Sequence, residues 1–375
     1  MWGVVKIAIP VVAFAGLFHS CVVSESIPER TVVVNMEPGE LLGNDYVAEA
    51  FTIDRLLPLK TGRIASVDKI DIRNGRLYVL DGRLHRLWAF SLDGDSLLCI
   101  DKRGHAGDEY MGITDFAVGD NGDITIYDAR SAKVVHYGSD GSFRDCVRLD
   151  YADGFLQRRN GNVVLLYNRN GVVALTEYGE DGNKLHQAEC EVARAPVSLS
   201  YLGGVVEQGD SVLFTVPFDH TVYAMLGETV MPKYKMDFPG HRIPDELWTD
   251  DKAAILRKLG RIDGVLYIDQ MGIYGRNLFM STNRSTPIIY DTDKNEARVI
   301  GNLKLPFSVL YGGKLFVTPD GHVLSAISHG NLKNGLCPVL ADYLDDMPCL
   351  APLKGLAQYG DCYWVAVARI NDEKI

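Results

Sequence analysis

The sequence has no Cys-x-x-Cys pair, no two histidines three or four residues apart on a helix, and none of the common catalytic signatures. Gly-x-Ser-x-Gly, His-Glu-x-x-His, a Walker loop and a strand-linked Gly-x-Gly-x-x-Gly are all missing. Without Cys-x-x-Cys there is no zinc-ribbon or thioredoxin-type site, because both need two thiols on one turn. The other absences leave no activated serine, helical zinc pair or phosphate cradle in view. Positive charge is also scarce, with 38 Lys and Arg against 49 Asp and Glu, a net charge of −11. Nucleic-acid binding needs clustered Lys and Arg to neutralise phosphates, so nucleic acid is excluded as a partner. After residue 18 no run is apolar enough to span a bilayer, which takes about 20 residues. Hydrophobic residues still make up 47% of the 375, enough for a sizeable core.

The N-terminus is the one strongly apolar region. A single positive charge, Lys6, precedes the stretch Ile7 to Phe18, whose length suits the core of a signal peptide. Leu17-Phe18-His19-Ser20-Cys21 then resembles a bacterial lipobox, in which a small residue precedes the cysteine that becomes acylated. Residues 1–20 are read as a lipoprotein signal peptide, 21–30 as a tether and 31–375 as the folded domain. A plain secretory peptide cleaved near Ser20 or Ser24 is the alternative. Acylation of Cys21 would hold the chain on a membrane at about 0.8 kcal/mol per buried methylene. No acidic run follows Cys21, so a periplasm-facing anchor on the outer membrane is preferred to surface display. Six cysteines remain, of which Cys337 and Cys349 are a pair to test for a disulfide, with two buried thiols as the alternative.

The body of the chain is organised by a repeat. Asn74-Gly75, Asp81, Arg83, Phe90, Asp93-Gly94 and Cys99 recur forty-seven positions later as Asn121-Gly122, Asp128, Arg130, Tyr137, Asp140-Gly141 and Cys146. Each unit reads as strand, Asn-Gly turn, strand ending in Asp, loop, strand ending in an aromatic, Asp-Gly turn, strand. Asn-Gly suits a type I′ hairpin because both central residues need positive φ. Four antiparallel strands in 40–50 residues is the grammar of a propeller blade. Weaker copies occupy 155–192, 203–239 and 264–300. A sixth starts at Phe307-Ser-Val-Leu310, continues through 313–317 and takes Tyr363 to Arg369 as a strand. The expected architecture is an all-β, six-bladed propeller with blades near 64–101, 113–150, 155–192, 203–239, 264–300 and 305–370. One of two N-terminal strands, 31–35 or 51–57, would close the ring and remove its open edge. A helix is expected over 244–259, with Leu247, Ile255, Leu256 and Leu259 on its apolar face, and a helical or irregular excursion over 330–356 inside the last blade.

These features resemble the six-bladed propeller lipoproteins of Bacteroidetes-type bacteria, relatives in fold of the NHL-repeat propellers. The resemblance is carried by the lipoprotein-like start, the pattern Lys69-Ile-Asp-Ile72 to Leu77-Tyr-Val-Leu-Asp81, the segment Lys102 to Tyr110 and the helix after blade four. Gly104, Gly107, Glu109 and Tyr110 match the family's inter-blade loop, whereas His105 and Ala106 depart from it. Membership implies a fold and an envelope location but no activity, because fold alone does not specify function.

Loops displayed on a rigid scaffold concentrate binding groups. The loops after the second and fourth strands of each blade emerge on one face, opposite the tight hairpins. The candidate binding residues on that loop face are Arg83, His85, Arg103, His105, Glu109, Tyr110 and Arg130; Asp81, Asp128, Arg169 and His220 lie there too. Arginine on an acidic protein suits a carboxylate-bearing partner, whether glycan, peptide or envelope protein. Asp81 and Asp128 are expected to brace their loops by accepting backbone N–H bonds, with Arg83 and Arg130 pairing to them, and Glu109-Tyr110 to lock the inter-blade loop. The Asp291-Thr-Asp293-Lys-Asn295 stretch opens like a calcium loop but has Glu296 and Asn302 where the pattern needs Gly and Glu, and is read as a polar turn. The leading reading is a non-enzymatic envelope binding module with no cofactor. The alternatives are a metal-dependent hydrolase or lyase in the central channel, with calcium as its candidate ion, and a structural subunit of an envelope assembly.

Overall fold

The computed structural model describes residues 30–375 except 62, 198–203, 250, 305–306, 312–313, 334–346 and 360–361. Those residues form a six-bladed β-propeller: six separate sheets, each built on a four-stranded antiparallel meander. Blade one is Lys69–Arg73, Arg76–Asp81, Arg86–Ser91 and Ser96–Ile100, hydrogen-bonded in that order from the axis outward. Blade two repeats the plan with Asp115–Val118, Ile124–Asp128, Lys133–Tyr137 and Phe143–Arg148. The inner strand of each blade contacts that of the next, and the inner strand of blade six returns to blade one.

Central strands are buried on both faces because neighbouring blades cover them. Tyr78 and Leu80 of blade one pack with Phe116 and Ile126 of blade two, and Tyr110 and Ile113 of the connecting loop fill the gap. The turns differ in detail from the expected hairpins. Asn74 and Gly75 both take positive φ, 50° and 67°, as a type I′ turn requires. At Asn121-Gly122 only the glycine does, at 83°. There the loop is longer, with Gly119 N–H bonded to Asp123 O and Gly122 N–H to Gly119 O, both at 2.9 Å.

Two N-terminal strands do separate jobs. The second, β2 (Phe51–Pro58), is the outer strand of blade six, pairing antiparallel with Tyr363–Ile370 from Phe51↔Ile370 to Pro58↔Trp364. The first, β1 (Arg30–Val33), adds a parallel fifth strand outside blade four, from Arg30↔Tyr234 to Val33↔Asp237. Between them α1 (Asn44–Ala50) crosses the rim, burying Val47 and Ala50. The segment 30–58 thus straps blades four, five and six, with Arg30 bonding Thr292 O, Asn302 bonding Pro38 O and Arg298 bonding Tyr46 Oη.

Three expectations are corrected. The helix over 244–259 is broken into a 3-10 turn at Asp245–Trp248, α2 (Lys252–Lys258) and a 3-10 turn at Leu259–Arg261. Asp251 restarts it by accepting from Ala254 N–H at 2.9 Å, and this turns Leu256 to solvent, 59% exposed. Phe307-Ser-Val-Leu310 is not a strand but the start of α3 (Phe307–Tyr311), whose two aromatics stack four residues apart. The inner strand of blade six is only Phe316–Val317, and its partner is His322–Ser328. Of the expected excursion, Pro348–Tyr359 is 3-10 helix; Cys337 and the side chain of Cys349 lie outside the described residues, as does Cys21.

Candidate functional site

The loop joining blades one and two, residues 101–114, runs from rim to axis across the loop face. Tyr110 anchors it. Its ring is wholly buried, and its hydroxyl accepts from Lys102 N–H at 3.1 Å and lies 3.0 Å from the carbonyls of His85 and Ile100. Burial pushes its pKa up. Glu109 folds back, accepting from Ala106 N–H at 2.9 Å and lying so close over Gly104 that a Cβ there would overlap its carboxylate. Glu109 and Tyr110 are therefore committed to the loop's own structure, and Tyr110 is beyond a ligand's reach.

Two aspartates latch such connections to the adjoining turns. Asp128, wholly buried, accepts from Met111 N–H at 2.7 Å, Arg130 N–H at 3.1 Å and Ser131 N–H at 3.3 Å. Asp81, equally buried, accepts from Ala65 N–H at 2.8 Å, Leu84 N–H at 3.0 Å and Ser66 Oγ at 3.2 Å. The recurrence of Asp at this position follows from one backbone device used twice. Arg83 and Arg130 form no ion pair with these aspartates, whose lone pairs are already taken by backbone.

What remains is a cluster of guanidiniums and one imidazole around a glycine floor. His85 has a positive φ of 53°, and its ring lies against Gly112 of the loop. A Cβ at Gly112 would stand 3.2 Å from the His85 ring and 3.6 Å from the Arg130 stem, so both side chains meet above that glycine. Arg103, Gly104 and Met111 line a cavity of about 300 Å³ beside them. Burial first, then the charges of Arg130 and Arg103, hold the His85 pKa below its ordinary value of 6.5. Its Nδ1 is buried without a hydrogen bond. Arg83, Arg103, His105 and Arg130 are exposed, and no carboxylate side chain pairs with them among the described residues.

His220, on the same face in blade four, is used structurally. Its Nε2 donates to Val265 O at 2.7 Å, its ring meets Phe238 edge-on at 4.9 Å, and burial lowers its pKa. Sequence reasoning missed Tyr151. It is 46% exposed beside Arg169, whose guanidinium sits 5.3 Å from its ring centre and 4.9 Å from that of Tyr167. The only signal in the sequence is an aromatic in a polar connection, which no repeat position marks.

Acids on and near the inner strands pair with cations, Glu177 from the third strand of blade three among them. Lys69 bonds Asp115 at 2.7 Å, Arg158 bridges Glu177 and Glu207 at 3.1 and 2.9 Å, and Arg73 lies 3.6 Å from Asp71. Among the described residues no three His, Cys, Asp or Glu side chains gather as a metal-ligand set. Asp291 accepts from Asp293 N–H and Lys294 N–H at 3.0 Å and from Arg276 at 3.0 Å, a closed turn.

A Bacteroides fragilis protein named for its predicted export has a similar crystal structure, with a TM-score of 0.66 and 18% identity, covering 91% of this chain and 100% of its own. The virginiamycin B lyase of Staphylococcus aureus matches at 0.43, with 12% identity over 73% of this chain and 81% of its own. BamB of Moraxella catarrhalis matches at 0.40, with 14% identity over 73% and 75%. No curated protein shows a significant sequence match. The model of a family described as 6-bladed beta-propeller, DUF5128, matches residues 30–299, and the chain belongs to that family.

Proposed function

We propose that the protein is a non-enzymatic binding module of the cell envelope, exported, held to a membrane by a lipid on Cys21, and taking an anionic partner where blades one and two meet on the loop face. The apolar stretch 7–18 and the Ser20-Cys21 step support the export and the anchor, and the similar B. fragilis fold is named for export. One observation carries the site. The charges of Arg103 and Arg130 both act on His85, and among the described residues neither guanidinium pairs with a carboxylate, on a protein of net charge −11. Acids outnumber bases in this chain, so exposed guanidiniums left unpaired beside a cavity keep their N–H forks available for a carboxylate ligand. The partner is a carboxylate-bearing glycan, peptide or envelope protein.

Titration of the mature protein with glucuronate and with a short peptide bearing a free C-terminal carboxylate, followed by NMR, tests the reading. Saturable shifts at Gly104, Met111 and Gly112 are expected. Arg103→Ala or Arg130→Ala should weaken binding about tenfold or more, the effect of losing one charge-assisted bond of about 1.5–3 kcal/mol, and added salt should weaken it further. Binding that persists unchanged in the double variant would remove this cluster from the reading.

A further inference from the structure

The cationic cluster does not end at blade two. Leu149 N–H bonds Ala132 O at 2.9 Å, joining the connection that follows blade two to the turn that carries Arg130. Arg130 stands two residues before Ala132 and Tyr151 two after Leu149, so their Cα atoms are at most about 20 Å apart on one face. Tyr151 is 46% exposed, and Arg169 stiffens it from one side while Tyr167 holds the same guanidinium from the other. Arg83, Arg103, Arg130 and Arg169 are all exposed, so the face from blade one to blade three carries an arc of guanidiniums that ends at an open aromatic ring.

We infer that this arc is a track for an acidic oligosaccharide, with uronate carboxylates held at Arg103 and Arg130 and a sugar ring laid on Tyr151. The inference rests on the anionic site proposed above and extends it in length and chemistry. Carboxylates spaced along a chain match separated guanidinium forks, each binding one carboxylate bidentately. A tyrosine ring already fixed by its neighbours offers an amphipathic plate at little conformational cost. The C–H face of a pyranose covers such a plate, which a run of acidic peptide side chains does not. Because the Arg169 guanidinium lies over one face of the Tyr151 ring, the sugar stacks on the other.

The test compares digalacturonate, hexagalacturonate and hexaglutamate on the mature protein by calorimetry. Hexagalacturonate should bind at least tenfold tighter than digalacturonate, and hexaglutamate at least tenfold weaker than hexagalacturonate. Tyr151→Ala should abolish the advantage of the longer sugar and leave digalacturonate binding as it was. Tyr151→Phe keeps the plate and should keep the advantage, and a melting curve for each variant separates loss of binding from loss of fold. Equal binding of hexaglutamate, no gain with sugar length, or a length gain that survives Tyr151→Ala would each overturn the track while leaving the anionic site standing, provided digalacturonate still binds and depends on Arg103. If neither sugar binds, and glucuronate does not bind either, both readings fall.

Discussion

At the scale of single residues, the loop face separates groups that hold it together from groups that are free to bind. Asp128 belongs to the first kind. It is wholly buried, and its three backbone donors have no other acceptor of comparable strength. Asp128→Ala should cost about 2–3 kcal/mol, since losing one partner leaves donors desolvated; Asp128→Asn, which keeps one acceptor oxygen, should recover part of that in a denaturant titration. His220 gives a pH signature. Burial lowers its folded pKa from 6.5, so the unfolded chain binds the proton more readily. Stability should therefore fall as pH drops through about 6.5 and level off below the folded pKa, with His85, also lowered, adding in the same sense. Melting temperatures from pH 7.5 to 5 should show this slope, and His220→Gln, which can still donate to Val265 O, should flatten it. The sequence pointed to the bracing role of Asp81 and Asp128 through their recurrence. It could not say that Arg83 and Arg130 stay apart from those aspartates, because that depends on which lone pairs the backbone has already claimed.

At the scale of elements, the strap 30–58 is the part that departs from a simple repeat. Its first strand and the three residues after it bury Val32, Val34 and Met36 against blades four and five. Three such side chains at about 1.5–3 kcal/mol each suggest that deleting residues 30–36 costs roughly 5 kcal/mol. The ring should stay closed, because β2 and its pairing with Tyr363–Ile370 are untouched. Guanidinium unfolding of the truncated chain, with a lower midpoint and a single transition, checks this. Either N-terminal strand looked able to close the ring because both precede the first full blade, and a strand's own residues do not name its partner. Phe307–Leu310 misled for a related reason: a short, mostly apolar segment fits a strand or a buried helical turn equally well, and here the aromatics at positions 307 and 311 stack across one helical turn.

At the scale of the whole molecule, the blade count was readable because turn residues punctuate the chain at nearly fixed intervals, and positive φ at a glycine is a local requirement that sequence shows directly. The candidate site was half legible. Its arginines and histidine sit at loop positions that the repeat predicts, whereas Gly112 as the floor and Tyr151 as the plate are products of how loops from different blades meet. Closure shares the load between the two ends of the chain, since the inner three strands of blade six come from the C-terminal part and the outer one from the N-terminal part. The strap has a mechanical consequence. Because β1 lies parallel to the outer strand of blade four over the register Arg30–Val33, tension at residue 30 along the strand axis stresses the whole ladder together in shear instead of peeling it bond by bond. A pull at that end would be borne by the rim of blade four, leaving the junction of blades one and two, on a distant arc of the ring, at rest.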